Sequence, residues 1–499
     1  MANRYWVGGT AAWDATAASK WALTSGGAGG QAVPTSADTV FFDAASGAST
    51  VTIGASTAIC STLTCTGFTG TLAFGTNSID LAGTGAIYTG AVGGTLVTGT
   101  PLMICSNATA TARTINASPN TNSEANAISF NITAGTGAIS WGTNQGVKNI
   151  TFSGTFTGST GGGFYCYGNL TLKTGMTVTA NTTGIAFVAT SGTQQITSAG
   201  ISFDYPINFS GTATYSLQDA LVNGATRQIS LNTGTLVTNG YNLTCGTFNF
   251  NIATTKALNL GTSTITILGG TSGSGFVGSN AGTTYTDVAN STIIFTSTGT
   301  TCFSGGQGGV AGTQFGTVTM SGLRGILILG NGTTVGRCTT LNNTVSPCTI
   351  TNSCTTFTVT NFNLDGTAGN VVTLNSDIAG TARSISQASG TVDAQYMFIK
   401  DSTATGGAIW NATNSVAGLN NTGWNFLAST NRLRLVSTGI MYTVTAELNE
   451  VTSPTISMSL SNFNSTEFDE VGNPGVAMRY NNGNVVQVST EFDEVTTIS

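Results

Sequence analysis

The residues best suited to chemistry in this chain are carboxylates, and they are unevenly placed. The heptapeptide Ser-Thr-Glu-Phe-Asp-Glu-Val occupies residues 465–471 and recurs unchanged at 489–495, with a degenerate copy at 445–451. Each full copy sets three carboxylates within four residues: Glu467, Asp469 and Glu470 in one, Glu491, Asp493 and Glu494 in the other. Calcium, which takes roughly six to eight oxygen ligands, is the ion such a group would collect. The repeat lacks the glycine-bearing loop with alternating ligands that calcium sites use. It therefore reads as a solvated acidic turn, with no cofactor expected and calcium as the alternative. Phe468 and Val471, like Phe492 and Val495, stand three apart beside these charges. Docking on a partner surface is the expected role of the repeat.

Elsewhere the carboxylates Asp80, Glu124, Asp204, Asp219, Asp287, Asp365, Asp377 and Asp393 come singly. Glycoside hydrolysis needs two carboxyl groups about 5–10 Å apart, one of them with a raised pKa. A stacked fold can bring distant carboxylates together, which keeps a polysaccharide-degrading enzyme as an alternative reading. Asp365 precedes Gly366 and reads as a turn pair. The chain of 499 residues has no histidine, which removes Ser-His-Asp and Cys-His machinery. Lys148, Lys173 and Arg227 are the candidate bases for a lyase, with no acidic cluster near them in sequence. The glycine-dense Ser159–Gly163 has no Lys-Ser/Thr or βαβ context for a phosphate loop and reads as a turn. The nine cysteines form no CxxC pair and several fill the apolar slot of a strand, so they read as small buried apolar residues. One bridge among Cys338, Cys348 and Cys354 is the alternative to reduced thiols. No catalytic, cofactor or metal residue is expected to act, and the expectation is a non-enzymatic protein.

The elements that would position these residues are short strands. Leu63-Thr64-Cys65, Ile79-Asp80-Leu81, Leu170-Thr171-Leu172, Ile229-Ser230-Leu231 and Leu258-Asn259-Leu260 place alternate side chains on one face. Turn residues separate them, drawn from 67 glycines and abundant Thr, Ser and Asn. Between Leu236 and Ile267 four such runs follow one another at Leu243–Cys245, Phe248–Phe250, Leu258–Leu260 and Ile265–Ile267. Three strands per coil give coils of roughly 20–25 residues, the scale of β-helix repeats. The expected fold is all-β: a right-handed β-helix or solenoid of about 14–17 coils, a rod of order 70–80 Å at about 4.8 Å per rung. A pair of β-sandwich domains is the competing architecture.

Tryptophans mark the ends of the repetitive stretch. Trp6, Trp13 and Trp21 fall within residues 1–48, Trp410 and Trp424 within 395–427, and Trp141 stands between. The expected organisation is an N-terminal cap over 1–48, a solenoid body over 49–394, a C-terminal cap over 395–427 and an acidic β module over 428–499 for attachment or oligomer contacts. Bulky caps cover the open core and unpaired edges of a solenoid. The spacing of Trp13, Ala17 and Trp21 also suits one face of a short helix. Net charge is −6, the pI about 4.6, and no basic run occurs, so a nucleic-acid partner is not expected. No run of 18 apolar residues is present for membrane insertion, and the first residues lack the apolar core of a secretion signal.

Two stretches carry a resemblance. The opening, from Tyr5-Trp6-Val7-Gly8-Gly9-Thr10 to the Pro34–Asp43 segment, is similar to the start of β-helical surface proteins. These include adhesin-type repeats of bacterial autotransporters and virion proteins of tailed phages. The segments from Asp401 to Trp410 and from Gly418 to Phe426 resemble the end of those phage solenoids. The resemblance covers both caps and touches the body only in style. It implies a non-enzymatic virion part, a fibre, spike or capsid decoration, assembled in the host cytoplasm and commonly trimeric. The implied partners are other virion proteins, further copies of the chain and host-surface glycans. A bacterial surface adhesin is the remaining alternative.

Overall fold

The computed structural model describes residues 2–427 except 15–17, 55–57, 92–95, 118–123, 143–144, 271–273, 279–281, 305–313 and 331–334; beyond 427 it describes only the strands Arg432–Val436, Met441–Thr445, Ser459–Leu460, Glu467–Phe468 and Arg479–Tyr480. The chain forms two compact units, Met1–Gly269 with Phe276–Ser291, and Gly270–Gly275 with Thr292–Ser499. Each is a parallel β-solenoid, and the two hold about 14 turns between them. Helix is limited to three 3-10 turns, Ala18–Lys20, Ala44–Ser46 and Glu124–Asn126, among the described residues.

Period-2 alternation builds the rungs. In Ser78–Leu81 and Thr264–Ile267 every second residue is buried and its neighbours are half-exposed. One turn of the first unit runs through Thr62–Thr64, Thr71–Gly75 and Ser78–Leu81, giving three faces. Each strand then pairs in parallel with the strand one turn later, so residues of like kind stack. Ile185 pairs with Ile207 and Ile207 with Ile229; Leu221 pairs with Leu243 and Leu243 with Ile265. The rings of Phe187 and Phe209 lie parallel at 5.3 Å, and those of Phe248 and Phe276 at 5.4 Å. Fully burying one such side chain contributes roughly 1.5–3 kcal/mol. The strands expected between Leu236 and Ile267 are present as Leu243–Cys245, Thr247–Phe250, Lys256–Asn259 and Thr264–Ile267.

Corners must turn sharply while touching the next rung. Gly234 sits at φ +76° with its missing Cβ only 2.4 Å from the carbonyl oxygen of Gly211, a place that admits glycine alone. Ser159–Gly163 departs from its expected reading. Ser159–Gly161 is a strand paired with Ile139–Trp141 and Thr177–Val178, and only Gly162, at φ +108°, turns.

Each unit has an aromatic cluster, near the first strands of the first unit and the last solenoid strands of the second. Trp6, Trp13, Trp21 and Phe42 pack at centroid distances of 5.1–6.2 Å, and Trp410, Trp424 and Phe362 at 5.0–5.8 Å. Trp13 and Trp21 meet through strands rather than one helix face. Trp13 ends Ala11–Trp13, Trp21 begins Trp21–Ala22, and the intervening 3-10 turn is Ala18–Lys20. Ala17 lies outside the described residues. Segment 1–48 already belongs to the ladder, since Asn3–Trp6 pairs in parallel with Thr39–Phe41. In the second unit the last strands, Val416–Ala417 and Asn425–Leu427, likewise pair in parallel with Met397–Ile399 and Ile409–Thr413.

Asp38 fastens the first rung. Its carboxylate accepts from the Ala2 N–H at 2.9 Å and from the Thr35 N–H and hydroxyl at 3.0 and 2.9 Å, with Arg4 Nε 3.8 Å away. Burial pushes the carboxyl up, but these hydrogen bonds and the Arg4 charge outweigh it, so its pKa is lowered from 3.8. A lowered folded pKa stabilises above the unfolded value and is lost as pH falls through the folded one. Amide exchange at Thr35 should therefore accelerate as pH is brought from about 6 to below 3.8, after correction for intrinsic exchange, and Asp38→Asn should abolish that component. Phe209→Ala, which empties a fully buried stack position, should lower the stability of the first unit by about 3–5 kcal/mol in denaturant titrations.

Candidate functional site

The most chemically diverse surface of the first unit forms where its ladder is interrupted. Among the described residues the second face runs through Ala11–Trp13, Thr50–Ile53, Thr71–Gly75 and Leu96–Gly99. In the next turn Arg113–Asn116 leads to Ile128–Ile132 without a described strand between them, and the 3-10 turn Glu124–Asn126 packs against Leu96–Gly99 and Gln145–Phe152. The third face breaks register between this turn and the next. Ile128 pairs with Val147 but Phe130 pairs with Ile150, so one extra residue bulges out of Gln145–Phe152. The bulge turns two consecutive side chains, Lys148 and Asn149, outward between buried Val147 and Ile150.

A groove of about 630 Å³ results. Its floor is polar, with Ser129, Asn131, Asn149, Thr151 and Thr171 from three successive rungs. Pro101, Leu102 and Ala125 supply an apolar margin. Asn149 spans the floor: its Nδ2 donates to Ser129 Oγ at 3.1 Å, and its Oδ1 accepts from the Asn169 N–H at 2.8 Å. Glu124 closes one side. It accepts from the Thr190 hydroxyl at 2.8 Å and N–H at 3.3 Å, and its other oxygen lies 3.6 Å from Lys148 Nζ. Burial pushes the Glu124 carboxyl up, but Thr190 and Lys148 prevail and its pKa is lowered. A general acid for glycoside cleavage needs the opposite shift and a second carboxyl group beside it. No second carboxylate is among the described lining residues. The geometry suits hydrogen bonding to a ligand rather than proton transfer.

Most of the other singly spaced carboxylates accept hydrogen bonds from a neighbouring rung. Asp219 accepts from the N–H groups of Ser198 and Ala199 at 2.7 and 2.6 Å, Asp80 from Ser106 Oγ at 2.7 Å, and Asp365 from the Gln395 N–H at 2.8 Å. Asp393 accepts from Asn411 at 2.9 Å, Asp377 pairs with Arg383 at 2.9 Å, and Asp204 pairs with Arg227. Asp287 is exposed in a turn at φ +51°. Two of the three candidate bases, Lys148 and Arg227, thus stand beside a carboxylate 24 or 23 residues away in sequence. The third, Lys173, donates to the Phe156 carbonyl at 3.4 Å.

The remaining expected site residues divide clearly. Trp6, Trp13, Trp21, Trp410 and Trp424 are buried where the caps were placed. Glu467 and Phe468 lie in a strand antiparallel to Arg432–Val436. Asp469, Glu470, Val471, Glu491, Phe492, Asp493, Glu494 and Val495 lie outside the described residues. Among the described residues no group of three Cys, Asp or Glu is placed to hold a metal, and no helix is long and apolar enough to cross a membrane. The groove itself was not anticipated. Its traces in the sequence are the lapse of alternation over 117–127 and the apolar pair Val147 and Ile150 set three apart.

No family model, curated protein or solved structure matches the chain. Its function must therefore be argued from its own geometry.

All nine cysteines are buried thiols. Burial pushes Cys348 up to about 11 and Cys105, Cys166 and Cys302 up to about 12. A thiol must ionise and be reached to react. Native protein should therefore show no labelling by a thiol-specific disulfide reagent near neutral pH, with all nine groups reacting once denaturant is added.

Proposed function

We propose that the protein is a non-enzymatic structural component of a tailed-phage particle, a fibre, spike or capsid decoration whose solenoid presents a neutral hydrogen-bonding surface to host glycans. The observation that carries this reading is the chemistry of the outer faces. Thr62 bonds Thr39 at 3.1 Å, Asn232 bonds Ser210 at 3.0 Å, Thr351 bonds Asn375 at 2.8 Å and Thr403 bonds Thr422 at 3.0 Å, each across one rung. Such ladders stiffen the shaft and leave a dense, uncharged array of hydroxyls and amides at its surface. Individually weak contacts with hydroxyl-rich chains gain avidity when many act together. Carboxylates held by N–H, hydroxyl, amide or cationic groups, as Asp80, Asp204, Asp219, Asp365, Asp377 and Asp393 are, support a structural rather than a hydrolytic role.

The virion part of the proposal rests on the resemblance of the two cap segments, and so does the homotrimer with which it is paired. Antibody raised against this chain should decorate phage particles in electron micrographs, at a fixed position on head or tail. Labelling of bacterial cells with none on particles would overturn the virion reading in favour of a surface adhesin. Purified protein incubated with host polysaccharide should leave its chain length unchanged; shortened chains would make the protein a degrading spike instead.

A further inference from the structure

We infer that the groove beside Glu124 and Lys148 is a discrete binding site for a short, neutral saccharide chain bearing hydroxyl and acetamido groups. The inference rests on the glycan-contact part of the proposed function and adds a place and a selectivity to it.

Three observations converge on that surface. First, among the described residues the strands of the second face end at Leu96–Gly99, and a cleft of about 630 Å³ opens beside the polar rungs that follow. Second, two turns beyond that end, the bulge at Lys148 and Asn149 turns two neighbouring polar side chains outward along the cleft. Bulges re-aim side chains in this way beside functional sites. Third, the cleft is held open from one side by Glu124, tied to Thr190, 66 residues away, and to Lys148.

The chemistry of the lining selects the ligand. The Asn131 amide, which accepts from Ser153 Oγ at 2.7 Å, and the Asn149 amide, which bonds Ser129 and Asn169, are held in place. With the Thr151 and Thr171 hydroxyls they offer remaining hydrogen-bonding positions that match sugar hydroxyls and acetamido groups. Pro101 and Leu102 offer an apolar margin for the C–H face of a pyranose ring. The rungs of the floor rise by about 4.8 Å each, close to the length of one sugar unit, so polar groups recur in step with a chain laid along the solenoid axis. Charge argues against an acidic chain. The ammonium of Lys148 is already engaged by Glu124 at 3.6 Å, and the protein carries a net charge of −6. A uronate or sialate would meet a compensated cation in a negative field.

The test uses the full chain and four probes: malto-, cello- and chitotetraose as neutral chains and tetragalacturonate as the acidic one, titrated by calorimetry up to millimolar concentration. At least one neutral probe should bind. Thr171→Trp, which fills the cleft, and Asn131→Ala, which removes an amide, should each weaken it by about tenfold or more, the scale of one or two lost polar contacts. Asn375→Ala, in a ladder of the second unit, should leave binding unchanged, and melting curves of every variant confirm folding. Glu124→Gln uncovers the Lys148 charge and should raise affinity for tetragalacturonate relative to the neutral probe, which loss of structure alone would not do. Binding of no neutral probe, or binding that both groove variants leave intact, overturns the site. Particle labelling tests the virion reading independently, so failure of one is distinguishable from failure of the other.

Discussion

Residues of like kind recur one rung apart on the faces of these solenoids, as Ile185, Ile207 and Ile229 do, and that proximity governs which residues a face accepts. Two like charges about 4.8 Å apart repel by roughly 0.9 kcal/mol in water and by about 3–4 kcal/mol at the effective dielectric of a protein surface. Repeated turn after turn, such repulsion would oppose the stacking itself. Hydroxyls and amides carry no such penalty and can donate to the rung on one side while accepting from the other. A charged content of 7% and the wealth of Thr, Ser and Asn follow from this constraint. So does the placement of the carboxylates, which sit where an N–H, an amide or a cation of a nearby rung receives them.

The same constraint reaches the interior. Arg113 is fully buried, and its guanidinium donates to the carbonyls of Asn107 and Ala134 at 3.3 and 2.8 Å while lying 5.9 Å from the Phe156 ring. Burial lowers its pKa, as it does that of Lys256, whose ammonium donates to the carbonyls of Ile252 and Thr254. Both cations occur once in their column of stacked residues: Arg113 between Gly85 and Ile139, Lys256 between Gly234 and Thr283. A buried cation held by loop carbonyls is tolerable once. A column of them would not be.

Local pattern carried the fold a long way, because alternation and turn residues act within a few positions. The strands between Leu236 and Ile267, the coil length, the burial of Cys65 and Cys245 and the aromatic ends were all legible in this way. What escaped depends on register, which is decided by residues some twenty positions apart. Sequence proximity placed no acid near Lys148 or Arg227, yet stacking sets Glu124 and Asp204 beside them. Ser159–Gly161 looked like a turn because glycine is permissive, and it is a strand because rungs on both sides hydrogen-bond it. Trp13 and Trp21 suggested a helix face by spacing, whereas the core gathers them from two strands.

A regular ladder uses part of its hydrogen-bonding capacity between rungs, so each contact its faces offer a ligand is individually weak. An interruption changes the balance. Where the described strands of one face stop, space opens beside the adjoining face. An extra residue in the strand then turns a further pair of side chains into the gap. The two irregularities fall in successive turns, those of Ile128–Ile132 and Gln145–Phe152, and a proline-bearing polar stretch precedes them in the sequence. Such a defect weakens the stack by the contacts it omits. Its persistence is understandable if the turn is held by something beyond strand pairing, and the Glu124 bonds to Thr190 and Lys148 provide that hold. Regular rungs thus hold one another, and the turns where their rule is broken beside Glu124 and Lys148 are a place where the surface of the first unit acquires individual chemistry.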